Sequence, residues 1–411
     1  MRQINFTPQK YILALYWAAV FSTFFLSYIR IGHFPMANYI SVLIAVLILI
    51  TATYGNLSYL LRNQLLRFSV VIVVLIALTL FFFGNSFIDI VYRVLKSMIV
   101  GMVLSTAAYI VVCTYGVKSA IKPILFCAFI TSLIAILQSG NIDLFWQMRE
   151  FAGYGGDGTV KAQIESRSRI PGMAFYSITL SYQLLAALSL GVFYLVYSKD
   201  GYLKRSHYNK KNRTFWSVLL ISVGLLLSGA RSTYPALLML FFIVGHHKAG
   251  KILIFIPIIL VAFYNQEIFD RIMNVGLGGR YLSNITAISV LFDHPFGLGG
   301  ESYVQTVLNS GMEHYSLVYP HNHFLTSAVS FGLIPILIFL IYNAVLITRV
   351  SQLQTYSKYA LLSMIFVYHL NTLFHNAGMM LGEQTGWYMF GIIEGVLTIY
   401  AKNKKSFVLR S

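Results

Sequence analysis

The sequence predicts an all-α polytopic membrane protein with about twelve transmembrane helices. Three observations carry that prediction. Apolar runs recur from Tyr11 to Tyr400, and a helix needs about 20 apolar residues to cross a bilayer. Only 10% of the 411 residues are charged and 57% are hydrophobic, whereas a soluble domain carries about 25% charge. The mean hydropathy is +0.71. This composition excludes an ordinary soluble globule, a disordered chain and a collagen-like fibre.

Window reading places the spans near 11–29, 36–54, 68–83, 97–115, 120–138, 172–197, 215–229, 232–246, 252–264, 323–348, 358–375 and 386–401. The first run lacks a small-residue cleavage site before Arg30 and reads as a retained helix. Cys113 and Cys127 both fall inside apolar runs, with neither a disulfide framework nor metal-ligand spacing, and read as buried small residues.

Charge sets the sidedness. With both termini in the cytoplasm, 20 of the 30 Lys and Arg lie inside, anchored by the runs Lys204–Arg213 and Lys402–Lys405. A net charge of +17 suggests nucleic acid in a soluble protein; here the inside bias of basic loops explains it, and no nucleic-acid partner is expected. The external cations are Arg30, Arg93, Lys96, Arg149, Lys161, Arg167, Arg169, Arg231, Arg271 and Arg280, eight Arg to two Lys. Guanidinium groups suit planar contacts to phosphate or carboxylate, so this bias hints at an anionic ligand outside the membrane. Glu394 lies within the last span, where an ionisable group is paired, proton-responsive or a polar contact between helices.

Two extramembrane segments are long. The division is a helix bundle over residues 1–264 with a loop at 139–171, a large external loop at 265–322, and C-terminal helices with a basic tail at 323–411. Loops of this length are usually functional. The second holds Gly276-Leu277-Gly278-Gly279-Arg280, then Asp293-His294-Pro295-Phe296-Gly297-Leu298-Gly299-Gly300, and ends in Tyr319-Pro320-His321-Asn322-His323. Its glycines permit tight turns and close approach to a ligand. His321 stands where the loop re-enters the membrane, and its imidazole suits a general base near neutral pH. Asn322 either orients it, binds a sugar hydroxyl, or caps the following helix. His321 and His323 form a His-x-His pair, but no cysteine or matched acidic motif accompanies them, so no metal is assigned. His369, His375, Asn371 and Asn376 cluster near the external end of a span.

Residues 228–340 resemble the O-antigen polymerase and O-antigen ligase superfamily. Ser228-Gly229-Ala230-Arg231-Ser232 resembles its Ser-Arg-Gly-like motif. Arg280 stands where an Arg opens a helix in the large loop, without the family's frequent Trp. Pro295-Phe296-Gly297-Leu298-Gly299 resembles its Pro-x-x-Gly-x-Gly turn, one residue shorter. His321-Asn322, nine residues and Gly332 reproduce its His-Asn spacing, although Pro335 stands where a small or aromatic residue is often found three places later. Arg167-Ser168-Arg169-Ile170-Pro171-Gly172 resembles its Arg-x-x-Gly stretch.

The resemblance implies a GT-C-like membrane glycosyltransferase of the bacterial inner membrane, working at the periplasmic face without metal or cofactor. Its donor would be an undecaprenyl-pyrophosphate-linked glycan and its acceptor a sugar hydroxyl, with a chain-length regulator protein as a further partner. His321, Arg280 and Arg231 would be catalytic. Arg169, Arg167, Asn322 and Gly299 would bind substrate. For Arg231 the residue alone reads equally as a snorkelling interface cation. The polymerase, whose acceptor is another lipid-linked repeat, is preferred to the ligase, whose acceptor is lipid A core. A lipid-linked glycan flippase is the alternative of another class; against it, most spans lack internal charge and no inverted repeat is apparent.

Overall fold

The computed structural model describes residues 8–26, 29–31, 34–53, 62–151, 158–167, 169–197, 208–230, 233–244, 278–298, 303, 305–307, 320–353, 357–375 and 378–408. Sixteen α-helices are described. They are α1 (Pro8–Phe25), α2 (Met36–Thr53), α3 (Gln64–Phe82), α4 (Phe87–Val94), α5 (Val100–Tyr115), α6 (Val117–Ser139), α7 (Asp143–Phe151) and α8 (Gly158–Glu165), followed by α9 (Ser177–Tyr197), α10 (Tyr208–Leu227), α11 (Thr233–Val244), α12 (Gly278–Asp293), α13 (His323–Phe331), α14 (Leu333–Ser351), α15 (Ser357–Thr372) and α16 (Gln384–Val408). A two-residue antiparallel pair, β1 (Arg30–Ile31) and β2 (Phe34–Pro35), connects α1 to α2. A π-helical turn, Leu95–Ile99, joins α4 to α5, and a short 3-10 turn, Met379–Leu381, precedes α16.

Four of these helices are long and apolar enough to cross a membrane: Gln64–Phe82, Val117–Ser139, Ser177–Val196 and Leu333–Ser351. Shorter apolar helices occupy Tyr11–Phe25, Tyr39–Ile48, Val100–Tyr115 and Thr214–Leu227. The chain is therefore a helical membrane protein with several spans. The span expected at 252–264 lies outside the described residues.

The centre of the bundle is the contact of α5 with α16, made close by glycine. A β-carbon on Gly101 would fall into the Trp387 indole, and one on Gly391 onto the Ser105 carbonyl. Around this pair, α6, α9 and α10 pack together, and α15 lies between α9 and α11.

The apolar run expected as one span at 323–348 is two helices. Gly332 separates α13 from α14 at φ 89° and ψ 169°, a backbone region essentially restricted to glycine. The membrane-length segment begins only at Leu333.

Side-chain contacts fix which helix ends lie together. Arg349, near the end of α14, donates to Gln64 Oε1 at the start of α3 at 2.8 Å. The two helices pack along each other, so Phe82 and Leu333 share the opposite end. That end also holds the beginning of α9, where Tyr182 lies 6.0 Å ring to ring from His375. It holds the start of α16 too, where Gln384 accepts from Thr23 at 3.0 Å.

Candidate functional site

The corner around His321 is built from the backbone outward. Asn322 caps α13, its Oδ1 accepting from Phe324 N at 2.9 Å and Leu325 N at 3.3 Å. Those amides are unpaired donors of a first helical turn. Thr326 ties the entry down, donating to the Pro320 carbonyl at 2.9 Å. His321 thus sits half-buried between a fixed Pro320 and a fixed cap. The capping role foreseen for Asn322 is realised through its oxygen. His323, two residues on, points inward: it is buried, and a β-carbon on Gly378 would lie 2.6 Å from its ring. Among the described residues no group of three or more His, Cys, Asp or Glu could hold a metal ion.

The break after α13 is the docking point of the Pro-Phe-Gly turn. Leu298 N donates to Val329 O at 2.8 Å and Leu333 N to Pro295 O at 2.9 Å. Each bond satisfies a terminal backbone group that the helices cannot satisfy themselves. Gly297 (φ 80°) faces Gly332 so closely that its β-carbon would stand 2.5 Å from Gly332 N. Two glycine motifs far apart in sequence therefore form one joint, which fastens α12 to α13. Arg280 lies in the first turn of α12, as expected, with only its backbone described. Arg231 and Gly299 lie outside the described residues, as does most of the 265–322 segment.

The first long loop folds as α7, α8 and a turn into α9. Gln138 grips both polar groups of Gly172, accepting from its N at 2.9 Å and donating to its O at 3.1 Å. Arg149, counted among the external cations, is fully buried. It donates to the carbonyls of Ala174 at 3.1 Å and Phe175 at 2.6 Å. Arg167 is exposed, pairs with Asp143 at 2.7 Å and lies over the Trp146 ring at 5.7 Å. Arg169 is exposed. Of the loop's arginines, Arg149 is thus structural, and Arg167 and Arg169 face outward.

His369 of α15 packs inward. His369 Nε2 bonds Asn343 Oδ1 at 2.8 Å while Asn343 Nδ2 donates to Phe339 O. Asn343 Oδ1 is therefore the acceptor and Nε2 carries the proton. Its ring is boxed by Phe324, Phe339, Tyr368 and Phe390.

Sequence reasoning missed Glu383. It receives the amides of Thr385 (2.6 Å) and Gly386 (2.8 Å), the Thr385 hydroxyl and the Tyr368 hydroxyl (2.8 Å). Burial pushes its carboxyl above the usual range while these donors pull it back. An acid just before an apolar run is a readable helix-start signal. At the opposite end of the bundle, Glu394 pairs with Arg349 at 2.8 Å, one of the readings offered by its sequence position.

Comparison of the chain with protein-family models and with curated proteins gives no match. Functional assignment therefore rests on the residues and their arrangement.

Proposed function

We propose that the protein is a membrane glycosyltransferase of the O-antigen polymerase type. It would have about twelve spans, cytoplasmic termini and its site at the periplasmic face of a bacterial inner membrane. The donor is an undecaprenyl-pyrophosphate-linked glycan and the acceptor the sugar hydroxyl of another lipid-linked repeat. The observation that carries this reading is the His321 corner. His321, half-buried, stands between the Pro320 carbonyl and the Asn322 cap at the start of α13, and a glycine joint at the far end of that nine-residue helix docks the arginine-bearing helix α12.

In the reaction, His321 takes the proton of the acceptor hydroxyl as its oxygen bonds to the donor's anomeric carbon. The carbon–oxygen bond to pyrophosphate breaks on the opposite face, and the electron pair leaves with the phosphate, inverting the anomeric carbon. Arg280 and Arg231 carry the developing charge, each contributing about 3 to 4 kcal/mol to barrier lowering. Arg167, Arg169, Gly299 and the amide donors of Asn322 contact the glycan or diphosphate. No metal or cofactor is called for.

Deletion of the gene tests the assignment. Surface glycan reduced to a single repeat on lipid A core is the polymerase result. Loss of all attached glycan with accumulation of lipid-linked polymer would make it a ligase. Unchanged surface glycan would remove both.

A further inference from the structure

The helix α4 serves neither as a span nor in the corner just described. It has eight residues, too few to cross a bilayer. Ser86 caps it, accepting from Asp89 N at 3.2 Å and donating to Asp89 Oδ2 at 2.6 Å. Its apolar arc is divided. Ile90 and Val94 are buried against the bundle, whereas Phe87 and Ile88 are each 78% exposed and Val91 is exposed beside them. The remaining face carries Asp89, Tyr92 and Arg93. Phe81, Phe82 and Phe83, at the end of the span α3, are exposed as well. Exposed aromatic and aliphatic side chains thus lie on both sides of the Gly84–Ser86 turn at the end of a membrane-length helix.

We infer that α4 lies in the plane of the membrane interface, with Phe87, Ile88 and Val91 inserted among lipid acyl chains. The occupant of this surface is the bilayer, because the exposed apolar side chains of the span α3, Val70, Val74, Leu78 and Phe81 among them, lead up to the short turn from which α4 starts. An amphipathic helix with aromatic residues on one face and a charged stripe on the other suits the headgroup boundary. Tyr92, Arg93 and Lys96 are of the types that gather at that depth. The π-helical turn Leu95–Ile99 then redirects the chain from the interface into α5; such turns are wider than an α-helical one and often mark functional positions. That turn packs against the Gly378–Glu383 turn, where a β-carbon on Gly382 would stand 2.9 Å from Lys96 O. Gly378 of the same turn covers His323. The inserted helix is therefore on the same membrane face as His321, and this inference holds whatever reaction that corner performs.

Spin labelling of the full chain in phosphatidylethanolamine–phosphatidylglycerol liposomes tests it. Cys113 and Cys127 are replaced by Ala, and single cysteines at positions 87, 88, 91 and 89 carry a nitroxide. Labels at 87, 88 and 91 should collide with oxygen more than with a water-soluble nickel chelate, and the label at 89 should show the reverse order. Equal nickel access at 87, 88 and 89 would place the face in water and overturn the inference. Low access to both reagents at 87 and 88 would mean a polypeptide covers the face, which overturns it equally. Phe87→Trp gives a second measurement free of the cysteine replacements. Its added fluorescence should be quenched by lipids brominated on their acyl chains; absence of that quenching also contradicts insertion.

Discussion

Gly297 and Gly332 meet backbone to backbone: a β-carbon on the first would lie 2.5 Å from the amide nitrogen of the second. Both have positive φ, 80° and 89°. The joint explains why two separated glycines are needed, and it orients α13, whose first turn carries the Asn322 cap beside His321.

Alanine at either position should therefore cost more than conformational strain alone. Gly84 supplies the control, with φ 72° and nothing within 4 Å of a β-carbon. Gly84→Ala should lose about 1 kcal/mol. Gly297→Ala and Gly332→Ala should each lose about 2 to 3 kcal/mol, the strain plus a backbone clash. Thermal unfolding in detergent measures the difference. Equal losses at all three sites would mean that the joint is loose.

Arg149 holds the turn that delivers the chain to α9. Lysine cannot reproduce a guanidinium that donates through separate nitrogens to two carbonyls. Arg149→Lys should destabilise by about 2 kcal/mol and open the 169–176 turn to protease. Limited proteolysis followed by mass spectrometry reads this out, and an unchanged cleavage pattern would contradict it.

Arg349, a quarter exposed, pairs with the fully buried Glu394 at the far end of the bundle, with Gln64 and Tyr342 adding contacts at 2.8 Å and 3.4 Å. Removing only the cation strands a carboxylate. Arg349→Ala should lose about 3 to 5 kcal/mol, whereas Arg349→Met combined with Glu394→Leu should recover much of that loss. The thermal midpoints of the single and double variants decide it. A double variant as unstable as the single would show that the pair itself, rather than the stranded charge, sets the cost.

The proposed sidedness predicts that an alkaline phosphatase reporter inserted after residue 300 is exported and active. It predicts that the same reporter inserted after residue 207, in the basic segment, is inactive. An inactive reporter at 300 would put the His321 corner on the wrong face for a periplasmic transferase.

Hydropathy made the apolar helices legible, because burial in lipid demands long runs of one composition. It did not reveal the break at Gly332, since a residue's φ leaves no trace in an apolar run and Phe331-Gly332-Leu333 reads as continuous. It passed over α4 for a related reason: eight residues with interleaved polar positions fall below any membrane-length window. The arginines show the same limit at the candidate site. Arg149, Arg167 and Arg169 look alike as external cations, yet Arg149 is fully buried on two carbonyls while Arg167 is exposed on Asp143. Those partners lie 24 to 26 positions away, beyond what local pattern reports. The Asn322 cap was readable because capping is a local interaction.

The most direct measurement is glycan transfer by the purified protein in liposomes, from an undecaprenyl-pyrophosphate-linked donor to a lipid-linked acceptor, with a metal chelator and no nucleotide sugar present. The wild type should transfer under these conditions. His321→Ala, eluting as a folded species, should be slower by about 10²- to 10⁴-fold. Transfer by His321→Ala at the wild-type rate would contradict the assignment of the imidazole as base.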